Sequence, residues 1–318
     1  MTNSNKNPNP EQSTPEPELL PAPLAYLNPE FLNSPDGRLL RILSEYSEPL
    51  SRFRREKIQD TVVFFGSARF ASLPDAQNAL TILEKPGSAK PAPLEQQPGG
   101  KDGDALQAAL KRAHAGVEMA RYYEEARRLA SMLTEWTLTL PGKRHRFVVT
   151  SGGGPGIMEA ANRGAREAGG KTIGLNIRLP FEQYPNQYIT PELNFEFHYF
   201  FMRKYWFAYL AKALVVFPGG FGTLDELFEI LTLAQTHKLA KKILVIVYGK
   251  EYWNRVLNLE ALADAGTISP EDVSGFTMVD TPEEAFEVLK EGLTRFHLQP
   301  HAARHVTEEG PEIAKTLP

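Results

Sequence analysis

Five apolar runs constrain this chain more than anything else in it: "VVFF" at 62–65, "FVVT" at 147–150, "TIGLNI" at 172–177, "ALVVF" at 213–217 and "ILVIV" at 243–247. They are continuous rather than alternating, so each reads as a strand buried on both faces. Amphipathic segments with helical spacing separate them. Strands alternating with helices predict an α/β fold, a doubly wound, mostly parallel sheet with helices on both faces, Rossmann-like and single-domain. A more polar stretch, "LNFEFHYFF" at 193–201, alternates and predicts a strand running into the helix "MRKYWFAYLAK". Further on, "EYWNRVLNLEALADAG" reads as one helix and "TPEEAFEVLKEGLTRF" as the last.

Around that body, at 58–297, the composition shifts. Residues 26–57 predict an N-terminal helical segment with Leu39, Leu40, Ile42, Leu43 and Tyr46 as its apolar stripe. The tails, 1–25 and 298–318, are expected to be disordered, and the Pro/Gly/Lys/Gln-rich stretch 85–103 reads as a flexible insertion in a surface loop. The sequence has no cysteine, which excludes disulfides, thiolate metal sites and Cys nucleophiles. No His/Asp/Glu cluster has metal spacing, so neither a metal nor a cofactor is expected. A net charge of −4 without a block of Lys/Arg argues against a nucleic-acid polymer as partner. No apolar run approaches the roughly 18 residues of a membrane span, and the N-terminus lacks a signal-peptide pattern. A cytoplasmic location is the default expectation.

Two strand ends carry the chemistry. "VVTSGGGPGIMEAAN" at 148–162 and "FPGGFGTLDE" at 217–226 each pass from strand to helix through glycines. In an open parallel sheet, ligands sit beyond the carboxyl ends of the strands. A helix N-terminus there offers unpaired N–H groups, and glycine lets backbone approach a phosphate closely. The alternative is a tight turn and nothing more. Both turns are expected to serve one ligand, from adjacent strands. A third strand end, "FFGSAR", adds Ser67 and Arg69, a hydroxyl and a cation, at the same edge. Two look-alikes fail. "GGKT" at 169–172 has Ala165 where a P-loop needs glycine and precedes a strand, and "GGGPGI" has Ile157 in the last glycine position of the dinucleotide-binding pattern. Thr223 followed three residues later by Glu226 fits a capping box, and Asp225 reads as a helix-start residue.

Those motifs also carry a family resemblance. "PGGFGTLDE" matches P-G-G-x-G-T-x-x-E, and with "FGSAR", "GGGPGIMEAAN" and the pair Arg203-Lys204 in "MRK" the chain resembles the Lonely Guy family of nucleotide phosphoribohydrolases, formerly labelled lysine decarboxylase-like, in its longer bacterial branch. The resemblance spans roughly 58–297; the insertion at 85–103 departs from it. It implies a catalytic domain that hydrolyses the N-glycosidic bond of a nucleoside 5′-monophosphate, AMP-type or cytokinin riboside monophosphate, to free base and ribose 5-phosphate. It implies Arg203 and Glu226 as the catalytic residues. Ser67, Arg69, Gly152, Gly153, Gly154, Glu159, Lys204, Gly219, Gly220, Gly222 and Thr223 would bind phosphate and ribose. The alternative is a non-catalytic nucleotide-binding or carrier protein on the same fold. The helix "YFFMRKYWFAYLAK" is apolar on nearly all sides, and with the family's dimers it predicts a homo-oligomer whose smallest unit is a dimer.

Overall fold

The computed structural model describes residues 21–85, 102–180, 184–236, 238–239 and 241–299. Most of the 85–103 insertion and the outer parts of both tails lie outside the described residues. The chain divides into two units at Ser44/Glu45. The first holds a turn at Ala25–Leu27, helix α1 (Pro29–Asn33) and the start of α2 (Arg38–Arg55). Asn28 caps α1 by accepting from the amides of Glu30 and Phe31. Within this unit the expected apolar stripe is open to solvent, with Leu39 65% exposed and Leu43 51%.

The second unit is a seven-stranded, wholly parallel sheet. Its strands are β1 (Thr61–Phe65), β2 (Val148–Ser151), β3 (Thr172–Ile177), β4 (Asn194–Phe197), β5 (Ala211–Val216), β6 (Leu244–Tyr248) and β7 (Thr277–Val279). Their spatial order is β4-β3-β2-β1-β5-β6-β7, so the winding reverses between β1 and β5. The helices are α3 (Leu73–Glu84), α4 (Asp102–Leu138), α5 (Ile157–Glu167), α6 (Phe200–Leu210), α7 (Phe221–Gln235), α8 (Lys250–Val256), α9 (Leu259–Asp264), α10 (Pro270–Val273) and α11 (Pro282–Leu293).

Strand geometry explains the continuous apolar runs. Successive side chains point to opposite faces, and both faces are covered. Val62 and Phe64 enter a core with Tyr122, Ala126, Leu129 and Leu133 of α4, Ile157 and Ala160 of α5, and Leu289 and Leu293 of α11. Phe65 points the other way and meets Phe207 of α6 edge-on, with centroids 4.9 Å apart.

One element differs from expectation, and two more carry no sequence expectation at all. Residues 73–84, N-terminal to the insertion, form α3, begun by Ser72, whose hydroxyl accepts from the Asp75 amide. The stretch 251–266 is two helices rather than one: α8 ends at Val256 and Asn258 starts α9 by accepting from Ala261 N. A last edge strand, β7, is only three residues long and too short to show a period.

The pose of α5, which starts at the first glycine turn, depends on a close approach to α4. A methyl at Gly164 would run into the Arg127 carbonyl, whereas one at Gly116 of α4 meets nothing within 4 Å. Gly164→Ala is therefore expected to cost about 3 kcal/mol by overpacking. Gly116→Ala should instead raise stability by about 0.5–1 kcal/mol through helix propensity. Urea unfolding midpoints of the two variants check the contrast; equal effects would mean that α4 and α5 are not held this close.

Candidate active site

All three sequence-flagged turns lie at the carboxyl edge of the sheet. The expectation that the two glycine turns leave adjacent strands is corrected by the strand order: β1 stands between β2 and β5. The turn after β1 is consequently the centre of the site rather than its margin. Ser67 there binds both neighbours through its backbone. Its N–H donates to Pro218 O at 2.9 Å, and its carbonyl accepts from Ile157 N at 3.0 Å. Both contacts need glycine next door. A Cβ at Gly156 would strike Ser67 O, and one at Gly219 would strike Thr223 and sit 3.1 Å from Ser67 N.

The candidate anion-binding groups are helix ends. In α7 the first ladder bond runs from Leu224 N to Gly220 O, which leaves the amides of Phe221, Gly222 and Thr223 outside the ladder. Added Cβ atoms at Gly220 and Gly222 would meet nothing within 4 Å, so this backbone faces open space. The first turn is stiffened from beneath by residues that sequence reasoning missed. Ser151 Oγ donates to Asn162 Oδ1 at 2.6 Å and accepts from Gly153 N at 3.0 Å. Asn186 Nδ2 reaches the same Asn162 oxygen at 2.9 Å and the carbonyls of Gly153 and Gly154 at 3.1 Å each. Gly153 has φ +76° and lies against Asn176. The signal available in the sequence was an asparagine after each nearby turn or strand, too common a residue to single out.

Arg203 and Glu226 feel each other's charge without forming a direct ion pair. Arg203 Nε donates to Leu175 O at 2.8 Å, its guanidinium lies 5.1 Å from the Phe207 ring centre, and a Cβ on Gly152 would be 2.6 Å from its Nη2. Burial lowers its pKa from the ordinary value, while Glu226 pulls it back up. Glu226 is 8% exposed. Burial pushes its carboxyl up to about 7, against the opposing pull of Lys204 and Arg203. Lys204, expected at the phosphate, is engaged by carboxylates: its Nζ lies 2.8 Å from Asp225, 2.9 Å from Glu229 and 3.7 Å from Glu226. Asp225 is thus an ion-pair partner rather than a helix-start residue, since α7 opens at Phe221 and has no acid in its first turn.

The capping box is absent. α7 starts at Phe221 with Gly220 as its N-cap and no side-chain cap. Thr223 is already inside the helix, so Glu226 is free of the backbone and buried in the second turn. Of the remaining predicted residues, Ser67 Oγ accepts from Arg69 N, Arg69 itself is exposed, and Glu159 accepts a 2.8 Å hydrogen bond from Tyr123 Oη. A cavity of about 570 Å³ between α7, α8 and α9 is lined by Leu227, Leu231, Trp253, Phe276 and Met278 and contains none of the predicted site residues. Among the described residues no group of three or more His, Asp or Glu side chains could hold a metal ion, and no helix is long and apolar enough to cross a membrane.

A parallel α/β sheet with glycine-lined helix ends meeting at the reversal of its winding is of the doubly wound class, whose ligands sit at that edge. The profile of the family described as "Possible lysine decarboxylase" matches residues 158–289, a span that includes Arg203 and Glu226. Two cytokinin riboside 5′-monophosphate phosphoribohydrolases of Arabidopsis thaliana are each 30% identical over 153 residues. One match covers 47% of this chain and 64% of the relative, the other 46% and 68%. An enzyme of the same name from Mycobacterium marinum is 28% identical over 46% of this chain and 77% of its own. A molybdenum cofactor carrier protein of Chlamydomonas reinhardtii aligns with 74% of this chain at 18% identity and a TM-score of 0.38, too loose to carry an argument. The chain belongs to the Lonely Guy family. It spans just under two thirds of the first Arabidopsis relative.

The raised pKa of Glu226 has a sign for stability. Its folded value, about 7, lies above the ordinary 4.5. The protonated carboxyl therefore supports the fold below about pH 4.5, and that support is lost as pH rises toward 7. Glu226→Gln, which stays neutral, should gain roughly 2 kcal/mol over the wild-type chain between pH 4.5 and 8. Thermal melts at both pH values read this; a constant difference would mean that the carboxylate is well solvated.

Proposed function

We propose that this chain hydrolyses the N-glycosidic bond of a nucleoside 5′-monophosphate with an adenine-type base, releasing the base and ribose 5-phosphate. The observation that carries the reading is the placement of Glu226, buried, 3.7 Å from Lys204 and within the field of Arg203, on the helix that opens at the second glycine turn. The family relatives named for cytokinin riboside 5′-monophosphate support the same bond and the same substrate class.

The chemistry follows from where charge develops. The 5′-phosphate sits on the amides of Gly152, Gly154 and 221–223, with the Ser67 hydroxyl and Arg69 on the turn between them. Departure of the base leaves an oxocarbenium-like ribose, which a carboxylate nearby stabilises. Ionised Glu226 offsets that charge and takes a proton from the attacking water. Arg203, pinned by Leu175 O, holds the phosphate or ribose and keeps Glu226 ionisable. Glu159, oriented by Tyr123, addresses the ribose hydroxyls.

Chromatography of AMP and N6-prenylated AMP incubations should show free base, and the matching nucleosides should be poor substrates because they cannot use the amides. Glu226→Gln should lower kcat by about 100-fold or more with little change in nucleotide binding. For the wild-type chain kcat/KM should climb through about pH 7, where Glu226 ionises. Nucleotide binding without base release would make the protein a carrier instead, and an activity falling through pH 7 would make Glu226 the acid.

We propose further that the chain works as a homo-oligomer built on a dimer. α6 buries Met202, Trp206, Phe207 and Leu210, yet leaves Phe200 54% and Phe201 50% exposed. Covering such rings is favourable by about 25 cal/mol per Å² of apolar surface removed from water. Light scattering at micromolar concentration should give a multiple of 35.5 kDa; a fully active species of that single mass removes the dimer.

A further inference from the structure

Arg203 and Lys204 lie near the start of α6, a helix whose N-cap residue, Tyr199, supplies no side-chain cap. Two residues, His198 and Tyr199, link β4 to this helix, and both give their amides to one carboxylate from far back in the chain. Glu45 Oε1 accepts from His198 N at 2.7 Å, and Glu45 Oε2 accepts from Tyr199 N at 3.3 Å. Glu45 is half-buried in α2, the first residue of the second unit and 153 positions before His198. It grips the helix a second time, because its backbone carbonyl accepts from Trp206 Nε1 at 2.8 Å. The next residue, Tyr46, sets its ring 5.7 Å from that of Tyr205 and 6.0 Å from that of Trp206. Arg203 and Lys204 thus stand between two anchors supplied by one short piece of α2.

The anchor is itself fixed to the sheet. Phe53, buried in the last turn of α2, packs 4.9 Å from Phe195 of β4 and 5.3 Å from Trp206. Arg52 Nη1 donates to Asn194 O at 2.8 Å. From Glu45 a continuous hydrogen-bonded route reaches the candidate site. Tyr199, held by Glu45, accepts through its carbonyl from Arg203 N at 3.2 Å, and Arg203 Nε donates to Leu175 O at 2.8 Å. The other end of the guanidinium faces the first glycine turn, with Nη2 only 2.6 Å from where a Cβ on Gly152 would stand. A guanidinium fitted this closely has little slack, so a small shift in the entry to α6 moves it relative to that turn. The proposed hydrolysis gives α2 no part, and the family profile begins only at residue 158.

We propose that Glu45 is a positioning residue: by fixing the entry and the second turn of α6, it holds Arg203 against the first glycine turn and Lys204 beside Glu226. The proposal rests on the reading of Arg203 and Glu226 as catalytic. Glu45 acts through α6 and touches no reacting atom. Its loss has a signature at Glu226, which is faced by Lys204 and Arg203 of α6, favouring the ionised form, and by Glu229 and Asp225 of its own helix, opposing it. Loosening α6 therefore raises the pH at which Glu226 ionises.

The test is Glu45→Ala in the full chain, which removes the carboxylate and keeps the backbone carbonyl. With AMP as substrate, kcat/KM should fall about 10-fold through misplacement of Arg203. Its rising limb should move above about pH 7. Glu45→Gln, which keeps one acceptor oxygen, should recover most of the loss, and Glu48→Gln, an exposed change on the same helix, should leave rate and profile as they are. A second readout needs no turnover. The stability gained by Glu226→Gln stops growing at the pH where Glu226 ionises, so in the Glu45→Ala background thermal melts should show that gap still widening above pH 7. Superimposable pH profiles and gaps in the two backgrounds would overturn the proposal whatever the loss of rate or Tm, because a merely structural role moves neither. A wild-type chain that releases no base would remove the hydrolase reading and leave the melts to decide the role of Glu45. Should Glu45→Ala fail to fold, Glu45→Gln is read in the same way, and its matching the wild-type gap at every pH would also overturn the proposal.

Discussion

The two backbone hydrogen bonds of Ser67 hold the candidate active site together. Its amide fixes the turn after β5 and its carbonyl fixes the turn after β2, so three strand ends become one rigid edge. Buried backbone groups demand partners, and here the partners are the neighbouring turns themselves. That arrangement tolerates no Cβ at Gly156 or Gly219. The glycines thus serve two ends. Gly156 and Gly219 let turns touch each other, whereas Gly220 and Gly222 leave backbone amides facing open space. The asparagines beneath the first turn complete the frame, since Asn162 joins Ser151, Asn186 and β3 through one side chain.

On this frame the charged residues are set by competition between burial and Coulomb attraction. Burial works against the charged forms of both Glu226 and Arg203, and each is the other's partial remedy. Lys204 stands 3.7 Å from Glu226 but closer to Asp225 and Glu229, so its charge is shared among three carboxylates. The result is a carboxyl poised near neutrality, the condition a general base requires. A site built only to hold a phosphate has no use for such a group.

The core of the fold was legible in the primary structure because both faces of each central strand are buried. Continuous runs such as "ALVVF" and "ILVIV" leave few alternatives to a parallel sheet covered by helices. The glycine turns, with Arg203 and Glu226, were legible because such turns at strand ends have a physical purpose and because their spacing matched a family. Less was visible where the determinant is not local. Helix α3 and strand β7 are short and weakly patterned, and the break between α8 and α9 rests on one asparagine cap.

The sequence alone therefore determined the α/β class and singled out the glycine turns, Arg203 and Glu226 as candidates, since each depends on residue type and near-neighbour spacing. Tertiary structure decided the rest. The strand order placed β1 between the two glycine turns, and no local pattern encodes which strands become neighbours. The start of α7 at Phe221 removed Thr223 from the cap and left Glu226 free and buried. The charge of Lys204 was assigned to three carboxylates. Burial and long-range electrostatics are properties of the packing, and they set the ionisation of Glu226 and Arg203.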